Sequence, residues 1–185
     1  MTDASLTATS SSPTALIRRA IRDVPDFPKP GIVFKDITPV LRDAHLFGLA
    51  TLLMAEPFRR AGITHVVAIE SRGFIFGAPI AQSLGAAFVP MRKPGKLPFL
   101  TEREEYDLEY GKDALEVHRD AMDNGTRALI VDDVLATGGT AGAACRLAER
   151  FGVRVVGCSF LIELAFLGGR AKLGDRQVQA LVPYE

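Results

Sequence analysis

The chain has 185 residues, 48% hydrophobic and 24% charged, which suits one domain that buries a core without disulfides or a structural metal. Lys+Arg and Asp+Glu number 22 each, so no global field favours nucleic acid or a membrane surface. The 2 cysteines and 3 histidines form no cluster and argue against a zinc site; Cys145 and Cys158 read as small core hydrophobes of a reducing compartment.

Met1 to Pro13 is rich in Ser, Thr and Ala, lacks the basic start and apolar run of a secretory signal, and is expected to be a disordered tail. No stretch approaches the roughly 20 apolar residues that span a bilayer, so a cytoplasmic protein is expected. Thr14 to Arg22 reads as a short amphipathic helix, with Leu16, Ile17, Ala20 and Ile21 on one side. Pro25 to Gly31 is too proline-rich for helix or central strand. Asp43 caps a further helix with Leu46, Phe47, Ala50, Leu53 and Met54 on its apolar face, and Pro57 kinks or ends it.

Thr64–Ile69, Ala86–Met91, Ala128–Val131 and Val153–Phe160 are apolar on both faces and predict buried strands of a parallel sheet. Helical patterns separate them. One ends near Leu84 with Pro79 in its first turn; another uses Ala144, Leu147, Ala148 and Phe151 and closes at Gly152. This alternation predicts βαβ units of an α/β fold. Lys93 to Asp123 breaks it as a polar excursion, in which Leu115–His118 alternates like an edge strand.

The most informative run is Ala128 to Thr140. A buried strand ends in Asp132 and Asp133, and Ala136-Thr137-Gly138-Gly139-Thr140 then opens a helix. Ligands of α/β sheets bind beyond the carboxyl ends of the strands, and a helix N-terminus offers free N–H groups to a phosphate. The glycines permit a tight turn and the threonines add hydroxyl donors. Carboxylates beside a phosphate loop would repel the ligand unless sugar hydroxyls or a cation intervene. A phosphorylated sugar is therefore expected, with Asp132 and Asp133 facing its hydroxyls and a phosphate-bound Mg²⁺ nearby. An ordinary βα turn is the plain alternative; the glycine spacings of P-loop and dinucleotide-binding turns are missing.

This run resembles the binding motif for phosphoribosyl pyrophosphate (PRPP) of the type I phosphoribosyltransferases, where an acid pair precedes Ala-Thr-Gly-Gly-Thr. The resemblance covers about residues 14–185. It implies a single domain, with a mainly parallel, twisted central sheet flanked by helices, a small hood over about residues 14–40 and a mobile catalytic loop over about 95–114. Asp132, Asp133 and residues Ala136 to Thr140 would hold PRPP, with Mg²⁺ near both acids.

Phe27 to Pro39 resembles the N-terminal segment of the adenine-specific members, which implies that the backbone near Val33 meets the adenine edge while Phe34 stacks on the ring. Glu70-Ser71-Arg72-Gly73-Phe74 follows the first long strand. By resemblance Ser71, Arg72 and Gly73 meet pyrophosphate, with Arg72 also close to the base; as an isolated feature, Arg72 reads more often as a surface ion-pair partner. Arg92, Lys93 and Lys96 suit a pyrophosphate leaving group, the plain alternative being a solvated basic turn. Tyr106 to Gly111 matches the catalytic loop, in which Glu109 handles a proton on the imidazole side of adenine and Tyr110 covers the site. Glu102, Glu104, Glu105 and Asp107 read as solvated surface, and Glu105 stands where many members have a small hydroxyl residue.

The implied activity is transfer of phosphoribosyl from PRPP to adenine, giving AMP and pyrophosphate in purine salvage, by a homodimer that binds neither nucleic acid nor membrane. The alternatives are transfer to another purine base, or a PRPP- or purine-sensing regulator without catalysis. The Phe27–Pro39 and Leu108–Gly111 segments speak against the first, and the lack of room for a DNA-binding module against the second.

Overall fold

A computed structural model describes residues 12–108 and 111–185, with Leu108 given by its backbone alone. Of the expected tail Met1–Pro13, residues 1–11 lie outside these residues, as do Glu109 and Tyr110, whereas Ser12 and Pro13 already belong to the start of a helix. The chain divides into two compact units, Met1–Ala50 and Thr51–Glu185.

In the first unit, α1 (Pro13–Ala20) begins where Ser12 Oγ accepts from Ala15 N at 3.2 Å and Pro13 occupies the first turn. It ends before the periodicity suggested, because Ile21 is already extended. Ile17 is buried, whereas Leu16 stays exposed. β1 (Arg22–Pro25) and β2 (Val33–Asp36) then pair antiparallel. The proline-rich segment between them is an irregular turn, in which Asp26 accepts from Gly31 N at 2.8 Å. Asp36 accepts from Thr38 N and the Thr38 hydroxyl at the start of α2 (Thr38–Leu41). α3 (Ala44–Ala55) starts at the expected cap, with Asp43 Oδ1 accepting from His45 N at 2.9 Å and Leu46 N at 3.0 Å. Pro57 ends it in a 3₁₀ turn, Glu56–Phe58.

The second unit alternates as predicted. β3 (His65–Ile69) leads to α4 (Arg72–Leu84) and β4 (Ala87–Met91). A hairpin of β5 (Thr101–Leu108) and β6 (Gly111–His118) follows. β7 (Arg127–Leu135), α5 (Gly139–Glu149), β8 (Arg154–Leu164) and β9 (Gln177–Tyr184) complete it. Among the described residues the central sheet has five strands, in the order β4-β3-β7-β8-β9, and every pairing is parallel. Val67, Ile69, Ile130, Cys158 and Phe160 of the sheet pack with Ala144, Leu147 and Ala148 of α5 in one buried cluster. No helix among the described residues is long and apolar enough to cross a membrane.

Three expectations need correction. Pro79 lies inside α4 and not in its first turn, because the helix starts directly after β3, at Arg72. The excursion is largely the β5–β6 hairpin, whose alternation is disguised by charged residues on β5. β7 runs through the acid pair to Leu135, because Asp132, Val134 and Leu135 continue to pair with β8. The last strand, β9, gave no clear signal: its glutamines and Pro183 fit an edge strand that is only half covered.

Candidate active site

The parallel register brings the carboxyl ends of β3, β4 and β7 side by side, so three loops remote in sequence converge there. After β7, Gly138 adopts φ 74° and caps α5 with no side-chain hydrogen bond, which leaves the first amides of the helix free for a ligand. Asp132 and Val134 to Ala141 line a small recess at this turn. Beside it lies a cavity of about 440 Å³ lined by Ile69, Glu70, Ser71, Arg72, Lys93, Asp132, Asp133 and Thr140. The structure thus joins the acid pair, Thr140 of the loop and two of the predicted cations, Arg72 and Lys93, around one space.

Arg72, the first residue of α4, places its Nε 2.7 Å from Asp133 Oδ2. Arg72 is thus an ion-pair partner, as its lone-residue reading had it, but the carboxylate it pairs with is buried in the cavity wall. Burial pushes the Asp132 carboxyl well up, and the neighbouring Asp133 charge pushes it further. Burial also raises Asp133, opposed by the charge of Arg72. Gly73 is buried against β7: a methyl there would stand 2.8 Å from the Val131 carbonyl oxygen and 3.0 Å from Asp132 Oδ1. Its lack of a side chain lets α4 start against the acid pair.

The predicted cations have partners that linear sequence did not assign. Glu70 accepts from Lys96 Nζ at 2.7 Å, Lys93 N at 3.0 Å and two Arg92 nitrogens at 3.3 Å. Burial acts upward on Glu70, yet these hydrogen bonds hold its carboxyl at about 2. Lys93 Nζ reaches Asp113 and, at 2.7 Å, the Tyr106 hydroxyl, both on the hairpin. Burial opposes charging of Lys93, but Asp113 and Tyr106 outweigh it and raise its pKa. The β3–β4 pairing would have flagged Glu70, and the Tyr106↔Asp113 register would have flagged Asp113. Neither pairing is visible in the linear sequence.

Glu104, read as solvated surface, is in fact buried on the face that β5 turns toward α5. It accepts from Arg146 Nε at 2.7 Å and also pairs with Arg150. The far end of the hairpin meets the Ala136–Thr140 loop, where a methyl on Gly139 would lie 3.3 Å from the Asp107 carbonyl oxygen and 3.6 Å from the Tyr106 ring. Val33 and Phe34 stand on β2 of the first unit, Val33 exposed and Phe34 edge-on to Phe27 with ring centroids 5.2 Å apart.

Among the described residues no three acidic, histidine or cysteine side chains cluster to make a metal cage. The acid pair nevertheless fits Mg²⁺ held mainly by substrate oxygens, since Mg²⁺ commonly uses one or two carboxylates together with phosphates. A nearby cation would also offset the repulsion that now opposes ionisation of Asp132.

Residues 47–177, which hold the acid pair, the Thr/Gly loop and most of the parallel sheet, match the phosphoribosyl transferase domain, and this sets the class of the protein. Among curated proteins, the adenine phosphoribosyltransferase of Myxococcus xanthus (strain DK1622) is 54% identical over 95% of this chain and 96% of its own length. That of Anaeromyxobacter dehalogenans (strain 2CP-1 / ATCC BAA-258) is 57% identical over 91% and 98%. The solved adenine phosphoribosyltransferase of Rhodothermus marinus DSM 4252 is 54% identical, with a TM-score of 0.89 over 93% of this chain and 98% of that one. The Saccharomyces cerevisiae enzyme, complexed with an imino-altritol bisphosphate and adenine, is 40% identical with a TM-score of 0.86 over 92% and 98%. The chain belongs to the adenine phosphoribosyltransferase family.

Proposed function

We propose that this chain transfers the phosphoribosyl group of PRPP to adenine, yielding AMP and pyrophosphate. The observation that carries this reading is the single cavity shared by the acid pair, Thr140 of the phosphate loop, Arg72 and Lys93. A ligand presenting phosphate and hydroxyl groups together would meet both its cations and its carboxylates. Adenine as the acceptor is supported by the family and by the Phe27–Pro39 segment.

In the reaction a ring nitrogen of adenine forms a bond to the anomeric carbon. The bond from that carbon to pyrophosphate breaks, and the leaving group takes the electron pair. The amides of Ala136 to Thr140 and the Thr137 and Thr140 hydroxyls hold the phosphate, while Asp132 and Asp133 accept from ribose hydroxyls. Ser71, Arg72, Gly73, Arg92, Lys93 and Lys96 are assigned to the pyrophosphate side. Lys93 and Lys96 must exchange their carboxylate partners, at least in part, for it. Mg²⁺ held by PRPP oxygens beside Asp132 and Asp133 would neutralise charge growing on the leaving group. Phe34 offers an aromatic face and Val33 a backbone edge for adenine. Glu109 is assigned the proton on the imidazole side, worth roughly 10²–10⁴-fold, and Tyr110 shields the site from water. A cytoplasmic homodimer is part of the reading. The dimer is supported by the family resemblance, and the edge position of β4 leaves room for a second subunit.

Purified protein given PRPP, Mg²⁺ and one base at a time tests the reading. AMP from adenine alone, lost in Asp132→Asn/Asp133→Asn, is expected. Product from a different base would move the specificity. PRPP binding without any product would turn the reading to a sensor.

A further inference from the structure

The turn after β8 contributes nothing to the cavity, yet its backbone is packed against the phosphate loop. It runs through a 3₁₀ turn at Ala165–Leu167, then Gly168, and enters a second 3₁₀ turn at Gly169–Leu173. Gly169 is buried. A methyl group on it would overlap the Ala136 carbonyl oxygen and stand 2.8 Å from Gly138 N. Conversely, a methyl on Gly138 would overlap the Gly169 carbonyl oxygen and stand 2.9 Å from its carbon. The two backbones meet with no side chain between them.

The turn is tied at both ends. Glu163, whose side chain is 8% exposed, accepts from Arg170 Nε at 3.0 Å and from Nη2 at 2.5 Å. Arg170 Nη1 donates to the Val178 carbonyl on β9 at 2.9 Å. A two-pronged pair of this kind fixes geometry as well as distance. On the other side of the contact, α5 begins without a side-chain cap. Crowding at the contact is therefore expected to shift the loop at the start of α5 more than the anchored turn.

We propose that Gly169 is a positioning residue for phosphate recognition. Its backbone, anchored by the Glu163–Arg170 pair, sets the path of Ala136-Thr137-Gly138 and so the aim of the amides that receive PRPP. Hydrogen bonds to a phosphate lose strength within a few tenths of an ångström, so a loop displaced by one methyl group loses donors without unfolding. The inference rests on the phosphoribosyl-transfer reading above.

The test compares wild type with Gly169→Ala, Gly168→Ala and Arg170→Gln. It reads kcat, the separate KM values for PRPP and adenine, and the rise in Tm that PRPP produces. Gly168 has φ 64° with nothing within 4 Å of an added methyl, so Gly168→Ala strains the same turn without touching the loop. Gly169→Ala is expected to raise the PRPP KM about tenfold or more, equivalent to about 1.4 kcal/mol, to leave the adenine KM within about twofold, and to shrink the PRPP-induced Tm rise. Gly168→Ala lowers the basal Tm but keeps the wild-type KM values. Arg170→Gln shows the same split as Gly169→Ala in weaker form, and carries the test should Gly169→Ala fail to fold. Equal rises in both KM values, unchanged values, or a Gly168→Ala that reproduces the split would overturn the proposal. Wild type that makes no AMP would instead defeat the functional reading, and the PRPP-induced Tm shifts would still decide this one.

Discussion

Asp132 and Asp133 illustrate how a residue can oppose stability while serving a site. Both are held near the interior with raised pKa values, by burial first and then, for Asp132, by its neighbour's charge. A carboxyl whose folded pKa is raised costs stability once the pH exceeds its unfolded value. Asp132→Asn is therefore expected to raise the Tm of the ligand-free protein at neutral pH while sharply reducing AMP formation. Thermal melts and turnover on the same preparation check this, and an unchanged or lower Tm would contradict it. Glu70 has the opposite sign: its pKa falls from 4.5 to about 2. Its contribution, of roughly 3 kcal/mol at most, is present above the unfolded pKa and fades as pH drops toward the folded one. Glu70→Gln should accordingly flatten the loss of urea stability between about pH 5 and about pH 2. A variant curve parallel to wild type in that window would show that Glu70 carries no such linkage.

At the scale of elements, the β5–β6 hairpin is held by charge as well as by apolar burial. Leu115 and Val117 of β6 enter the core, while Glu104 of β5 binds Arg146 and Arg150 of α5. The arginine side chains are half exposed, at 53% and 51%, which screens the pair. Glu104→Gln is expected to cost about 1–3 kcal/mol, by leaving imperfectly paired polar atoms at a buried position. Urea denaturation measures this directly. A cost below about 0.5 kcal/mol would mean that apolar packing alone anchors the hairpin. Because the same α5 opens with the phosphate loop, a loosened hairpin also disturbs the contact of Tyr106 and Asp107 with Gly139.

At the scale of the molecule, parallel pairing of β3, β4 and β7 gathers chemistry from Glu70, Lys93 and Asp132 at one edge of the sheet. The edge position of β4 is compatible with the proposed homodimer. Light scattering is expected to give twice the chain mass, and a fully active monomer would refute a site completed by a second subunit. The alternation of strands and helices, the cap at Asp43, the stop at Pro57 and the Thr/Gly turn that opens α5 were all legible in the residues. Each is a local consequence of side-chain period, ring geometry or backbone freedom within a few positions. The family was legible too, because its motifs are contiguous. The pairing of Arg92 and Lys96 with Glu70, of Lys93 with Asp113, of Glu104 with α5, and the meeting of Gly138 with Gly169 were decided by tertiary structure alone. These contacts join segments brought together by strand order and register, and a charged side chain has no periodicity that names its partner. Sequence determined the type of those elements that carry a clear side-chain period and the kind of ligand expected; packing decided the hairpins, the last strand, and which charges are buried and paired.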